Sequence, residues 1–325
     1  MVKFILRRVL LGIVTFFGIT VLVYLLSTLA TGSPLDALLA DPGMTAEEVA
    51  RRAEQLGLDQ PVYVQYFQWL KALLQGDLGY SYRTYQKVST MIAERIGPSL
   101  LLTCTAIVLA YLVAIPLGIL SAVKPYSARD YCCTGFAFLT AATPSFFIAM
   151  LLIFIFSVSL GVLPMGGMYD SGGAHTIGSV LRHLILPASV LALGQIGSTM
   201  RYVRGSMLEV LGEDYVRTAR AKGLRERLVV VRHAFRNALI PVVTNFGLSI
   251  PFLIGGAVVT EQVFSWPGIG NLMVMSISYR DYPTIMGITV IISVAVLVGN
   301  ILVDLVYGLL DPKIRNQYAE SGRKG

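Results

Sequence analysis

Pro98 to Val123 reads PSLLLTCTAIVLAYLVAIPLGILSAV, 26 residues without one charged side chain. A helix that crosses a bilayer needs about 20 predominantly apolar residues, so this stretch is long enough to span. Five others repeat the pattern: Val9 to Ala30, Cys132 to Leu160, Leu184 to Met200, Asn237 to Thr260 and Thr284 to Leu310. Only the last carries a charge, Asp304, near its end. The fourth is short and must borrow residues past Arg201, whose long stem can snorkel to the interface. The third is long, and Pro144 is expected to kink it. The expectation is an all-α integral membrane protein with six transmembrane helices.

Composition agrees. The chain is 55% hydrophobic and 14% charged, whereas a soluble domain carries about 25% charged residues. The opening MVKFILRRVL runs into the first apolar stretch without a small-residue cleavage site, so that stretch is expected to be retained as a span. The net charge of +7 would suggest nucleic acid for a soluble protein. In a membrane protein basic residues record orientation instead, and no nucleic acid partner is expected.

Their placement sets the topology. With both termini in the cytoplasm, that side takes Lys3, Arg7, Arg8, Lys124, Arg129, nine residues between Arg201 and Arg236, and four in the tail, 18 of the 26 lysines and arginines. The other side keeps several of its basic residues in a segment long enough to escape the positive-inside bias. Cys104, Cys132 and Cys133 read as buried thiols, since adjacent cysteines rarely satisfy disulfide geometry. His175, His183 and His233 are scattered without metal-ligand spacing, so no metal is expected.

The segment between the first two spans carries its own helix signals. Thr45 and Glu48 form a capping box and Gly57 a stop, predicting a helix over Thr45 to Leu56. Pro61 opens a second helix whose face is Val62, Tyr66, Trp69 and Leu73, ended by Gly76. The chain thus divides into residues 1–31, the first span; 32–97, a small extracytoplasmic helical insertion; 98–310, the bundle with its loop 201–236; and 311–325, a cytoplasmic tail. The glycine-rich run between Gly161 and His183 reads as a mobile outer loop.

The loop holds GSMLEVLGEDYVRTARAKGLRERLVVVRHAFRNALIP, from Gly205 to Pro241. Glu213 and Asp214 suit a helix N-terminus, Arg220 and Lys222 the other end, and Gly223 a left-handed stop. Leu208, Leu211, Tyr215 and Ala219 recur at helical spacing, leaving Arg217, Arg220 and Lys222 outward. Such charges enforce topology by themselves. The small residues Ala219, Ala221 and Gly223 would also admit a second protein surface, and pattern alone leaves both readings open.

EDYVRTARAKGL, followed by RHAFRNALIPVV, resembles the signature loop of inner-membrane permease subunits of ABC importers of the peptide and nickel family. The resemblance continues in GGAVVTEQVFSWPGIGNLM, RDYPTIMG and NILVDLVYGLLDPKIR, and upstream in LGLDQPVYVQYFQWLKALLQGDLGYS. It implies the type I importer permease fold in a bacterial or archaeal cytoplasmic membrane. The implied partners are a homologous second permease, two cytoplasmic ATPase subunits, an extracytoplasmic substrate-binding protein and membrane lipid. It also implies a coupling helix formed by Glu213, Asp214, Tyr215, Arg217, Ala219, Arg220, Ala221, Lys222, Gly223 and Leu224. Where the family has glutamate two residues before the alanine, this chain has Arg217, so the acidic contact passes to Glu213 or Asp214. TGSP at Thr31 to Pro34 also departs, lacking the acidic residue that relatives often have before proline.

No Gly-x-x-x-x-Gly-Lys-Ser/Thr occurs, so the chain has no phosphate cradle of that kind. Catalysis, ATP and Mg belong to the partner subunits, and this chain is expected to bind no cofactor. Polar groups in spans are costly and often functional, but they also join helices. Gln195, Asn245, Asn300 and Asp304 carry both readings. Pro241, Pro251, Gly255 and Gly256 interrupt the fifth stretch, as in transporters whose broken helices bind substrate, though such small residues equally serve plain helix packing. Glu261 and Trp266 fall in the turn that the resemblance assigns to a gate facing the binding protein. The expected path or gate is therefore Gln195, Asn245, Pro251, Gly255, Glu261 and Trp266. The cargo reads as short peptides or as nickel or its chelate. An ion-coupled secondary transporter would need buried carboxylates that the nearly charge-free spans lack.

Overall fold

In this computed structural model the described residues are 2–29, 35, 45–55, 57–170, 172, 176–239, 242 and 257–310. They form α1 (Val2–Leu29), α2 (Ala46–Gln55), α3 (Val62–Leu74), α4 (Val88–Val123), α5 (Ala128–Ala142), α6 (Ser145–Leu152), α7 (Ile177–Leu211), α8 (Asp214–Ala221), α9 (Glu226–Leu228), α10 (Ile269–Ser278) and α11 (Tyr282–Leu310). Two helices widen into π-helical segments: α6 continues as Ile153–Ser159 and α9 as Val229–Phe235. No strand occurs among the described residues.

Four of these helices, α1, α4, α7 and α11, are long and apolar enough to cross a membrane. The third predicted span is broken rather than kinked: α5 and the α6 segment meet at 101°. Pro144 stands at the break, as the residue capping α6, because its ring excludes the helical hydrogen bond there. The fifth predicted span lies mostly outside the described residues, which are helical at 236–239 and again at 257–263. Asn245, Pro251 and Gly255 lie outside them, as do Pro241 and Gly256 and the turn Thr31 to Pro34. The structure thus supplies four spans and one broken one toward the six expected.

α4 and α7 pack along a seam of small residues. Leu102, Ala106, Ala110, Ala114, Gly118 and Ala122 follow one another at four-residue spacing on α4, all buried. Without a hydrophobic effect between helices in lipid, close backbone approach supplies the packing energy. A β-carbon on Gly118 would stand 2.7 Å from Val203. One on Gly197 would run into the Ala137 carbonyl of α5.

The first insertion helix forms one residue shorter at its start than predicted, with its capping box complete. The Thr45 N–H donates to Glu48 Oε2 at 2.9 Å, and the Glu48 N–H donates to Thr45 Oγ1 at 3.3 Å. Those bonds from Thr45 hold the Glu48 carboxyl below its ordinary range. Gly57 and Gly76 take the left-handed φ values of 66° and 80° that their stops require. Tyr66 of α3 meets the Tyr24 ring edge-on, 5.5 Å between centroids, and its hydroxyl pairs with Thr20 Oγ1 at 3.0 Å. The aromatic face therefore folds onto α1.

The reading of the cysteines as buried is corrected: Cys104 and Cys132 are exposed and Cys133 is half-buried. A helix in lipid carries apolar residues on its outer face as well as its inner one, so an apolar run does not imply burial.

Candidate functional site

α7 is a single helix of 35 residues, about 50 Å long at 1.5 Å per residue. Two residues separate its end from α8, with Gly212 capping one and Glu213, in extended backbone, starting the other. α8 is pinned by Val216 and Ala219, which are buried against Val229 and against Val210 and Leu211 at the end of α7. This corrects the expected face. Val216 is the buried partner of Ala219, whereas Tyr215 is 42% exposed and accepts a 2.8 Å hydrogen bond from Asn237 Nδ2 on its hydroxyl. The difference is one residue of helix phase, because α8 is a new helix and does not continue the register of Leu208 and Leu211.

Ala219 is consequently spent on packing within the chain. The outward surface consists of Asp214, Tyr215, Arg217, Arg220, Ala221, Lys222, Gly223 and Leu224, all exposed. Gly223 ends the helix with φ 74°, as its sequence position requires, and nothing stands where a β-carbon would project. Arg220 grips Glu226 of α9 through Nε at 3.2 Å and Nη2 at 2.8 Å, which holds the Glu226 carboxyl below its ordinary range. Arg217 reaches Asp214 at 3.4 Å with both side chains largely exposed, an arrangement of little energetic weight. Glu213 makes no side-chain cap. The two acidic residues considered in place of the missing glutamate both face outward.

Near the same end, α7 is fastened to its neighbours by a pair the sequence reading missed. Arg204 Nε and Nη2 donate to the two carboxylate oxygens of Asp130 at 2.8 and 2.7 Å. Asp130, 3% exposed, also accepts from Ser121 Oγ and from the Tyr126 N–H at 2.9 Å. The only sequence signal was Ser127 three residues before Asp130, an N-cap whose hydroxyl does accept the Asp130 N–H.

The opposite end is organised by Glu261 and Trp266. Glu261 accepts from Ser99 Oγ at 2.6 Å and from the Asn271 N–H at 3.0 Å, so its carboxylate caps the start of α10. Trp266 is buried beside Leu102, Ala188 and Ala257, and its Nε1 donates to the Pro98 carbonyl at 3.0 Å. Both residues are fully packed, Glu261 bordering a cavity of only about 100 Å³. Gln195 is likewise buried and donates to Thr199 Oγ1 at 3.3 Å, one helical turn along α7 from Leu191, which shares a cluster with Trp266. Asn300 borders a wider groove of about 500 Å³ between α1 and α11, with Arg8, Thr15 and Ser293. Asp304 lies on α11, its side chain outside the described set.

Two further anchors hold this end. Asp281 accepts from Ser81 Oγ at 2.5 Å, the Tyr82 N–H at 2.9 Å and Thr284 Oγ1 at 2.7 Å, joining the segment after α3 to the start of α11. In the glycine-rich loop between Gly161 and His183, Asp170 accepts from Ser179 Oγ at 2.8 Å and faces His183 Nε2 at 3.3 Å. Asp170 and, through its carbonyl on His183 Nδ1, Gly166 are thus tied to α7. Among the described residues no three His, Cys, Asp or Glu side chains gather as a metal site.

The chain's relatives fit this architecture. Residues 114–316 match the family described as binding-protein-dependent transport system inner membrane component, and residues 1–103 match its N-terminal membrane component. The oligopeptide transport system permease protein AppB of Bacillus subtilis is 45% identical over 315 residues, covering 97% of this chain and 99% of that protein. The dipeptide transport system permease protein DppB of Escherichia coli K12 is 37% identical over 338 residues, 98% and 100% of the two chains. Among solved structures, an inward-facing form of the MetNI methionine ABC transporter matches with TM-score 0.56 and 16% identity, over 69% of this chain and 97% of that one.

Proposed function

This chain belongs to the family of binding-protein-dependent transport system inner membrane components and is a non-catalytic, multi-pass permease subunit of an ABC importer, a premise from which we propose that its cargo is short peptides. The observation that carries this is the end-to-end likeness to permeases named for oligopeptide and dipeptide transport, which favours peptide over nickel. The subunit pairs with a second, homologous permease. An extracytoplasmic binding protein delivers the peptide, and two cytoplasmic ATPases supply the ATP and Mg chemistry.

On this reading both termini and the Arg201–Arg236 loop face the cytoplasm, while the insertion and the Glu261–Trp266 turn face outward. α8 is the coupling helix. Its fixed attachment to α7 and its exposed Arg217, Arg220 and Lys222 suit a helix received by a cleft on an ATPase. Closure of the two ATPases then displaces α8, and α7 carries that displacement into the bundle, whose interface switches between two arrangements. Glu261 and Trp266 act by shaping the outer turn, since both are buried.

Proteoliposomes holding the two permeases and two ATPases test the cargo directly. Addition of ATP and the peptide-loaded binding protein drives accumulation of a labelled tripeptide. Accumulation of a nickel chelate in place of peptide, or peptide uptake that needs no ATP, overturns the reading.

A further inference from the structure

We propose that the Arg204–Asp130 pair is the positioning element that transfers movement of α8 to α4 and α5. The inference rests on the reading of α8 as the helix that receives the ATPase.

Movement of α8 reaches α7 because Val216 and Ala219 pack directly on Val210 and Leu211. What α7 then moves depends on its fastening near that end. Above Arg204 the contact is the small-residue seam of α4 and the Gly197 crossing of α5. There Met200 packs on alanines of α4 and α5 and Val203 on α4, apolar contacts that hold the helices together but are non-directional.

Arg204 adds the directional contact. Both its donating nitrogens meet both Asp130 oxygens, at 2.8 and 2.7 Å, and a bidentate fork fixes orientation as well as distance. Asp130 stands in the first turn of α5. Ser121, in the last turns of α4, donates to the same carboxylate and accepts from Arg204 Nε at 3.1 Å. The Tyr126 N–H, in the turn between α4 and α5, completes the set at 2.9 Å. One guanidinium and one carboxylate therefore join the loop-side ends of three helices. Stability alone does not call for this arrangement, because well-packed apolar residues commonly replace a buried ion pair without loss. A directional grip does.

The test uses the complete importer in proteoliposomes, reading peptide moved per ATP hydrolysed beside assembly of the complex. Arg204→Lys keeps the charge and loses the fork. Asp130→Asn with Arg204→Gln removes both charges and leaves no unpaired one buried. We expect each variant to assemble and hydrolyse ATP while peptide moved per ATP falls about tenfold, within the usual span of coupling between sites. An unchanged ratio in both variants overturns the proposal. So does failure of both to assemble, which makes the pair a structural element only. A wild-type complex in which a cysteine at Ala221 of α8 forms no cross-link to the ATPase instead refutes the parent reading of α8.

Discussion

Glu261 and Gly268 interlock: the carboxylate that caps α10 lies against the Gly268 α-carbon so closely that a β-carbon there would overlap it. Ser99 Oγ, which donates to that carboxylate at 2.6 Å, also accepts the Ile269 N–H at 2.8 Å. Residues 99, 261 and 268–271 thus form one knot joining α4, the helical stretch 257–263 and α10. Gly268→Ala must displace the carboxylate or the backbone, and overpacking of this kind costs about 1–3 kcal/mol. The expected outcome is a lower unfolding temperature of the purified subunit and faster hydrogen exchange at Ile269 and Asn271. Unchanged exchange at both amides would show that the knot does not hold the turn.

α8 gives a second expectation. Gly223→Val forces a β-branched residue to φ 74°, a left-handed conformation that costs roughly 1–2 kcal/mol. Ala219→Asp places a carboxylate between Val216 and Val229. Both variants are expected to insert into the membrane and to lose most ATP-driven peptide uptake, since the end of α8 or its seat on α7 is disturbed. Normal uptake by both would remove α8 from the coupling path.

The glycine-rich loop before α7 has a pH-dependent anchor. Ser179 and His183 bond to the Asp170 carboxyl and hold it below its ordinary range. For a carboxyl depressed in the folded state, the stabilising contribution is present above the unfolded value, about 3.9, and is lost as pH falls through the lower folded value. Amides around Met168–Asp170 should therefore exchange slowly at neutral pH and lose protection in acid below that unfolded value. Asp170→Asn should abolish this pH dependence. A profile identical to the wild type would assign the protection to the rest of the loop.

Local signals in the sequence translated faithfully into structure where one residue's chemistry decides the outcome. Thr45 with Glu48 capped α2, and Gly57, Gly76 and Gly223 took the left-handed φ values that their stops require. Long apolar runs at α1, α4, α7 and α11 likewise gave long helices. Legibility ended where partners are distant in the chain. Arg204 and Asp130 sit beside apolar runs like ordinary flanking charges, and only the crossing of α7 over α5 brings them together. Asp281 and Ser81 are 200 residues apart. Glu261 and Trp266 stood out by their motif, but that the carboxylate bonds Ser99, 162 residues away in the chain, could not be read from it. The one-residue error in the face of α8 came from carrying the phase of α7 across Gly212, where the helix stops and restarts.

If force enters this subunit through the exposed face of α8, site-directed cross-linking in the assembled importer reports the contact. A cysteine placed at the outward position Ala221 is predicted to form a nucleotide-sensitive cross-link to the ATPase subunit, while one at exposed Tyr279, beyond α10 at the other end, forms none. Cross-linking of the ATPase to position 279 and not to position 221 would remove α8 as the point where the ATPase acts.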